Sequence, residues 1–149
     1  MHTVRALGIA CVAVFAAACG PADSTAEIRE LLAGAGKAAE QRDTGYFRDL
    51  LGKSYRDARG NDRDEMLRFI RGYFLTHSHI EVVSRIDSVE LEGRDAAHAV
   101  LHAGLLGHRA GESLLGGVQG DLYRVELELV AQDGAWQVIG ANWRSQVGD

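Results

Sequence analysis

The spacing of apolar residues along the chain changes near residue 78, and the change divides the sequence into two kinds of structure. Before it, apolar side chains recur every three or four positions, which places them on one face of a helix. From Ile80 onward they alternate with polar side chains, which is the pattern of a strand with one buried face. The chain is therefore predicted to be helical first and to end in a sheet.

Three helices are predicted before the change. They cover about residues 24–42, 43–52 and 62–75, and a short polar link or strandlet at residues 54–57 precedes the last one. Capping-box pairs, in which each side chain satisfies a free amide of the first helical turn, mark the starts of the first and third helices. These pairs are Ser24 with Glu27 and Asp62 with Glu65.

Three turn signals divide the remainder of the chain into four strands that follow one another as an antiparallel meander. The strands are predicted over about residues 80–91, 96–106, 122–131 and 136–143. Asp133-Gly134 is a two-residue hairpin signal, because both central positions of that turn need a positive φ. The glycine-rich residues 107–120 are interpreted as a long hairpin loop.

The tight turns also predict which strand side chains face the helices. With a two-residue loop at residues 133–134, Leu129 pairs with Val138, and the alternation then places Asn142 inside and Trp143 outside. The same reasoning at the first hairpin gives an inner face of unusually small side chains: Ser84, Ser88, Ala97, Ala99 and Ala103. Small side chains opposite helices leave room either for closer packing or for a cavity.

The first nineteen residues have the composition of an export signal. A basic start and a short apolar run precede Ala16-Ala17-Ala18-Cys19, which describes a secretory signal peptide. The segment resembles a bacterial lipoprotein signal, which implies removal of residues 1–18, a lipid on Cys19, a tether over residues 19–23 and a domain over residues 24–149. An uncleaved membrane anchor and cleavage without lipid are the alternatives. Gly20 resembles the sorting signal for the periplasmic face of the outer membrane, in the cell envelope.

Charge and cysteine content exclude several classes of partner. The net charge is −5, and no concentrated basic surface is evident, so nucleic acid is not expected to bind. The 2 Cys lie in the first nineteen residues, so no thiol is left in the domain for a disulfide or a metal. His98 and His102 are about 13 Å apart along one strand, too far to share an ion. No cofactor motif is present, and neither a metal nor a cofactor is predicted.

The order of elements over residues 24–145 resembles the nuclear transport factor 2-like superfamily, which includes ketosteroid isomerase and polyketide cyclases. Local pieces that carry the likeness are Gly45-Tyr46-Phe47, Ser54-Tyr55-Arg56-Asp57 and Gly134-Ala135-Trp136-Gln137-Val138. The resemblance implies an α+β fold of cone-shaped, cystatin-like architecture, in which three helices pack on a curved four-stranded antiparallel meander sheet. It also implies a pocket between the layers, frequent dimerisation through the outer sheet face and, in the enzymes, a pocket carboxylate as base.

Three hypotheses for function follow. The favoured one is a non-catalytic, lipid-anchored module that binds a small apolar or amphipathic ligand in a pocket; the pocket candidates are Tyr55, Asp57, Ser84, Tyr123 and Asn142. The second is an isomerase-like or cyclase-like enzyme with Asp57 as base and Tyr55 or Tyr123 as hydrogen-bond donor; the alternative interpretation of Asp57 is a solvated carboxylate paired with a neighbouring arginine. The third is an assembly partner in an envelope complex. A homodimer or partner surface is predicted on the outer sheet face, at His98, His102, Ile139 and Trp143.

Overall fold

A computed structural model of the chain describes residues 21–109 and 120–146. The predicted signal, the lipidation candidate Cys19 and most of the predicted long loop lie outside these residues. The helices are α1 (Pro21–Glu40), α2 (Thr44–Leu50) and α3 (Arg63–Thr76). The strands are β1 (Leu51–Asp57), β2 (His77–Glu92), β3 (Ala96–Arg109), β4 (Gly120–Gln132) and β5 (Ala135–Ser145).

Side-chain caps define where two of the helices begin. The Asp43 carboxylate accepts the amides of Gly45 and Tyr46 at the start of α2. At α3 both reciprocal bonds of the predicted capping box are present between Asp62 and Glu65. The predicted start of the first helix is wrong, because α1 begins at Pro21, upstream of the expected cap, and proline is tolerated in a first helical turn.

The strands form one mixed sheet in the order β1-β5-β4-β3-β2. The last four strands are the predicted antiparallel meander. The predicted strandlet is a complete strand, β1, which runs from the end of α2 and pairs in parallel with β5. The fold is thus α+β, with three helices on a curved sheet that has five strands rather than four.

One face of the curved sheet is covered by the helices, and the main core lies between these layers. Each helix contributes at least one fully buried aliphatic side chain, and every strand except β2 contributes a buried residue to the same cluster. The fully buried members are Ile28, Leu32, Leu50, Leu51, Tyr55, Leu67, Ala97, Ala99, Leu127, Leu129, Trp136 and Val138. Removal of this apolar surface from water is the main stabilising term of the fold.

A β-bulge in β5 changes which of its side chains face the helices. Leu129 pairs with Val138 as predicted, but Glu128 pairs with Gly140, so Ile139 is an extra residue between them. Beyond the bulge the two faces of the strand are exchanged relative to the prediction. Trp143 therefore faces the helices and Asn142 does not, and the predicted positions of both residues were wrong.

A second irregularity lies in β2. The pairs Ser84–Ala103 and Ile86–Leu101 follow the predicted register, but Val89 rather than Ser88 is opposite Ala99. The inner face near the first hairpin is accordingly larger and more apolar than the sequence suggested. None of the described helices combines the length and the apolar composition needed to cross a bilayer.

Candidate functional site

A large open cavity lies between the helices and the sheet, with a volume of about 1070 Å³. Its walls come from all three helices and all five strands. Most of the lining is apolar: Leu32, Ala35, Gly36, Ala39, Phe47, Leu50, Leu51, Met66, Phe69, Ile70, Phe74, Val82, Leu101, Ala103, Leu105, Gly107, Val125, Leu127, Val138 and Ala141. The remaining lining residues carry a polar or charged group: Tyr55, Arg59, Asn61, Glu65, Tyr73, His77, Ser84, Tyr123 and Trp143.

Small residues on facing elements help to leave this space open. On the sheet, Ala103 lies between Ser84 and Tyr123 in one row of paired residues, and all three line the cavity. On α1, the face that lines the cavity includes Ala35, Gly36 and Ala39. The predicted run of small side chains on the inner face thus contributes to a cavity, at least around Ala103.

Tyr55 reaches the cavity from the buried side of β1. The residue is only 3% exposed, yet it lines the cavity, and its hydroxyl group has no hydrogen-bond partner in residues 21–109 and 120–146. Burial, and to a smaller extent the negative charge of Asp57, raises the pKa of Tyr55 above its ordinary value. The hydroxyl therefore stays protonated and is available to donate to an acceptor inside the cavity.

Asp57 is also buried, but its carboxylate forms hydrogen bonds within the turn after β1. Its carboxylate accepts hydrogen bonds from the Arg59 amide at 2.9 Å, the Asn61 amide at 3.0 Å and the Asn61 side-chain amide at 2.8 Å. It is 5% exposed and is not among the residues that line the cavity. The structure therefore corrects the placement of Asp57 in the pocket, because these three donors hold its carboxylate in the turn after β1.

The same turn places a cation at the cavity. Arg59 follows Asp57 in the turn, and its guanidinium carbon is 4.7 Å from the ring centroid of Trp143. Both residues line the cavity, and Arg59 is exposed there. A guanidinium over an indole face is a favourable cation–π arrangement. This pair could not be predicted from the sequence, because Trp143 faces inward only as a result of the bulge at Ile139.

A second polar group lies where α3 meets β2. The imidazole of His77 stacks on the ring of Tyr73 with centroids 3.9 Å apart and an interplanar angle of 17°. Its Nδ1 is 2.9 Å from the carbonyl oxygen of Tyr73 and 3.0 Å from the hydroxyl of Thr76. Because a carbonyl only accepts, this network assigns the proton of the neutral ring to Nδ1 and leaves Nε2 as an acceptor.

The spacing of four between Tyr73 and His77 is the signal in the sequence for their contact, because residues four apart are neighbours on a helix. Within the described parts of the chain, no group of three His, Cys, Asp or Glu side chains is arranged to hold a metal ion. The Nε2 atom of the His77 imidazole can accept a hydrogen bond or a proton at this end of the cavity.

The other predicted residues divide between the two faces of the sheet. Ser84 and Tyr123 line the cavity, whereas Asn142 is exposed and lies outside it. On the outer face, the Nδ1 of His102 is 3.0 Å from a carboxylate oxygen of Asp87.

His98 pairs with Glu90 on one side and with Glu128 on the other. Ile139 is half-buried and lies beside Gly52 of β1. Trp143 does not belong to this outer surface, because it lines the cavity.

Three helices packed on a curved sheet around an open cavity are the fold of the nuclear transport factor 2-like proteins, and this chain has that fold. No protein-family model matches the sequence, and no curated protein sequence matches it either. The likeness is therefore one of structure.

Solved structures with this fold are similar over most of the chain. A proposed scytalone dehydratase from Novosphingobium aromaticivorans has a TM-score of 0.74 at 11% identity, over 83% of this chain and 85% of its own. A proposed dehydratase of the NTF2-like family from Streptomyces avermitilis has a TM-score of 0.74 at 13% identity, over 87% and 100%. An NTF2-like superfamily protein from Salmonella enterica has a TM-score of 0.70 at 15% identity, over 87% and 96%.

Proposed function

We propose that this domain is a non-catalytic module that binds a small apolar or amphipathic ligand in the cavity. The observation that carries the proposal is the Tyr55 hydroxyl, which lies at the wall of a large apolar cavity and has no hydrogen-bond partner among the described residues. A protonated phenol hydroxyl donates one hydrogen bond, so a ligand that fills the cavity is expected to supply an acceptor for it. The cavity volume, about 1070 Å³, is at the upper end of the range of small-molecule sites.

Titration of the purified full chain with 2-decanone tests this function, because the probe has an apolar body and one acceptor oxygen. Tyr55→Phe removes only the hydroxyl group and is expected to weaken binding about fivefold, the value of one neutral hydrogen bond. Tyr46→Phe is the matched control, because the Tyr46 hydroxyl donates to the Leu31 carbonyl at 2.7 Å and lies outside the cavity. Failure of apolar probes to bind, together with a ligand-free mass of protein from its own host, would contradict the proposal.

A second candidate function is proton-transfer catalysis, and the geometry of His77 favours it. The Nδ1 atom of His77 donates a hydrogen bond to the backbone carbonyl of Tyr73, so Nε2 is the candidate base beside the apolar cavity. Asp57 is not a suitable base in this scheme, because its carboxylate accepts three hydrogen bonds in the turn. The dehydratase names of two similar structures are compatible with proton removal from a bound substrate.

Exchange of the carbon-bound hydrogens next to the ketone of 2-decanone for deuterium tests this alternative. A base in the cavity accelerates that exchange in heavy water, and His77→Gln is expected to abolish the acceleration. His79→Gln is the control, because His79 lies outside the cavity beside Glu81. Exchange no faster than in protein-free buffer would leave the binding module as the function of the domain.

We further propose that the chain is a lipid-anchored protein of the bacterial envelope, on the periplasmic face of the outer membrane. The support is the sequence pattern around Cys19. Cys19→Ser is expected to abolish incorporation of a labelled fatty acid and to release the protein from the membrane fraction. Cys11→Ser, a change of the same kind within the predicted signal, is expected to leave both unchanged. Membrane association of unlabelled Cys19→Ser protein would instead support an uncleaved anchor.

The outer face of the sheet, which carries His98 and His102, is proposed as the surface of a homodimer. Exposed apolar side chains support this, since Val83 and Leu122 are 66% and 42% exposed and both neighbour Gly104 in the sheet. Leu122→Asp is expected to convert a dimer to a monomer in native mass spectrometry. Leu75→Asp, at an exposed leucine on α3, is the control. A monomeric wild-type chain would favour a different envelope protein as the partner of this face.

A further inference from the structure

Arg59 differs from the two nearest arginines in what its guanidinium contacts. Arg56 donates to a backbone carbonyl of its own turn at 2.9 Å, and Arg63 donates to two backbone carbonyls at 2.8 and 2.6 Å. The guanidinium of Arg59 instead lies over Trp143. In the described part of the chain no carbonyl or carboxylate pairs with it. Its five N–H donors are therefore available to a ligand.

Two contacts favour this position of the cation, one of the side chain and one of the backbone. Its side chain stacks on an indole that itself lines the cavity, and its backbone amide donates to the Asp57 carboxylate at 2.9 Å. A planar guanidinium held in place loses little conformational entropy when it binds. Its fork of donors matches the two oxygens of a carboxylate. The geometry thus favours recognition of an anionic group at the exposed end of an apolar cavity.

Glu65 carries the one carboxylate among the described lining residues, and its negative charge disfavours an anion nearby. Glu65 accepts the amide of Asp62 at 2.9 Å as part of the capping box, and it lies at the N-terminal end of α3, where the helix dipole favours negative charge. Glu65 is therefore engaged by the helix start rather than by Arg59, and no ion pair joins these two described residues. The whole chain carries a net charge of −5, so attraction of an anion has to be local.

We propose that the ligand of the cavity is an amphipathic anion, with an apolar body inside the cavity and a carboxylate that pairs with Arg59. The assignment rests on the proposed binding function, because the apolar body accounts for most of the contact. It defines the ligand class more narrowly, as an aliphatic or aromatic acid rather than a neutral apolar molecule. The Tyr55 hydroxyl then donates a hydrogen bond to another oxygen of the ligand, within the cavity.

Two probes of equal chain length, decanoate and decan-1-ol, test the assignment by calorimetry on the purified full chain at about pH 8, where the acid is ionised. The wild type is expected to bind decanoate about tenfold more tightly than decan-1-ol, as charge-assisted pairing with a carboxylate implies. Arg59→Gln is expected to remove this preference without changing the affinity for decan-1-ol. Arg71→Gln removes the same charge from an α3 residue outside the cavity and is expected to keep the preference.

A measurement on the wild type alone complements the variants. At about 1 M salt the charges of an exposed pair are screened within about 3 Å, so most of the preference for decanoate is expected to disappear. Equal binding of the two probes at low salt, or a preference that survives in Arg59→Gln, would overturn the assignment and leave the binding function intact. Absence of binding by both probes would overturn the binding function, and the assignment would fall with it.

Discussion

Replacement of Asp57 separates a structural role of this residue from a catalytic one. The carboxylate lies at the end of β1 and accepts three hydrogen bonds from donors in the next four residues. These bonds shape the turn in which Gly60 has a positive φ of 89°. Asp57→Ala removes all three acceptors, whereas Asp57→Asn keeps one oxygen that still accepts both backbone amides. The two variants are therefore expected to differ.

The expected magnitudes follow from the hydrogen bonds. The bonds are partly exposed, so each is given the value of an ordinary hydrogen bond, about 1 kcal/mol, rather than the larger value for a charged acceptor. Asp57→Ala is then expected to reduce the free energy of unfolding by about 3 kcal/mol, which lowers the melting temperature by about 10 °C for a domain of this size. Asp57→Asn is expected to cost about 1 kcal/mol, because one weak pair with the side chain of Asn61 is lost.

Urea denaturation followed by far-UV circular dichroism measures both changes. Asp49→Ala is the control, because Asp49 is exposed and forms one surface ion pair with Arg48, at 3.6 Å; its replacement is expected to cost less than about 1 kcal/mol. A loss below about 1 kcal/mol for Asp57→Ala would refute the structural account. A stable Asp57→Asn protein that loses deuterium exchange on 2-decanone would show that Asp57 is a catalytic base.

Three further changes test other parts of the structure. Because burial raises the pKa of Tyr55, its hydroxyl stabilises the fold fully below about pH 10 and progressively less above it. In urea denaturation, Tyr55→Phe should therefore flatten the decline of the free energy of unfolding above that pH by up to about 1.4 kcal/mol per pH unit. Gly107→Ala places a Cβ 2.5 Å from the Tyr73 hydroxyl and should lower the free energy of unfolding by about 1–3 kcal/mol. Gly72→Ala, in open space on α3, should raise it by about 0.5–1 kcal/mol in the same assay. Equal effects of the two changes would contradict this interpretation. Asp62→Ala should lower the free energy of unfolding by about 1–2 kcal/mol, and Asp62→Asn by only about 0.3 kcal/mol, because asparagine is also a good N-cap. A larger loss for Asp62→Asn than for Asp62→Ala would contradict the capping box.

Local signals in the sequence were sufficient to predict most elements of the fold. The capping box at Asp62 and Glu65 and the hairpin at Asp133-Gly134 depend on residues within one turn of each other, and both are present. Strand alternation also brought Ser84 and Tyr123 to the correct face. These features could be predicted because each is decided by short-range hydrogen bonds or by the period of the apolar pattern.

The register beyond each bulge could not be predicted in this way. Ile139 is as suitable for a regular strand position as for a bulge, so its own propensity does not distinguish them. The partner that could distinguish them is β1, which pairs in parallel with β5 and has its own irregularity between Leu51 and Arg56. That strand lies more than eighty residues upstream, and a pairing over such a distance leaves no trace in the local pattern. The same long-range contact decided the positions of Asn142 and Trp143.

The bulge at Ile139 and the Asp57 carboxylate together position the proposed anion site, although neither of these two residues lines the cavity. The bulge turns Trp143 toward the cavity, and the turn places Arg59 over the indole ring. In this proposal Asp57 acts through the position of a cation rather than through proton transfer. A change that loosens the turn should therefore reduce the preference for decanoate while the affinity for decan-1-ol stays constant, since the apolar body of the ligand is held by other walls. Loss of a catalytic base alone would leave the binding of both probes unchanged. The two roles of Asp57 therefore predict different preferences for decanoate in the same variant.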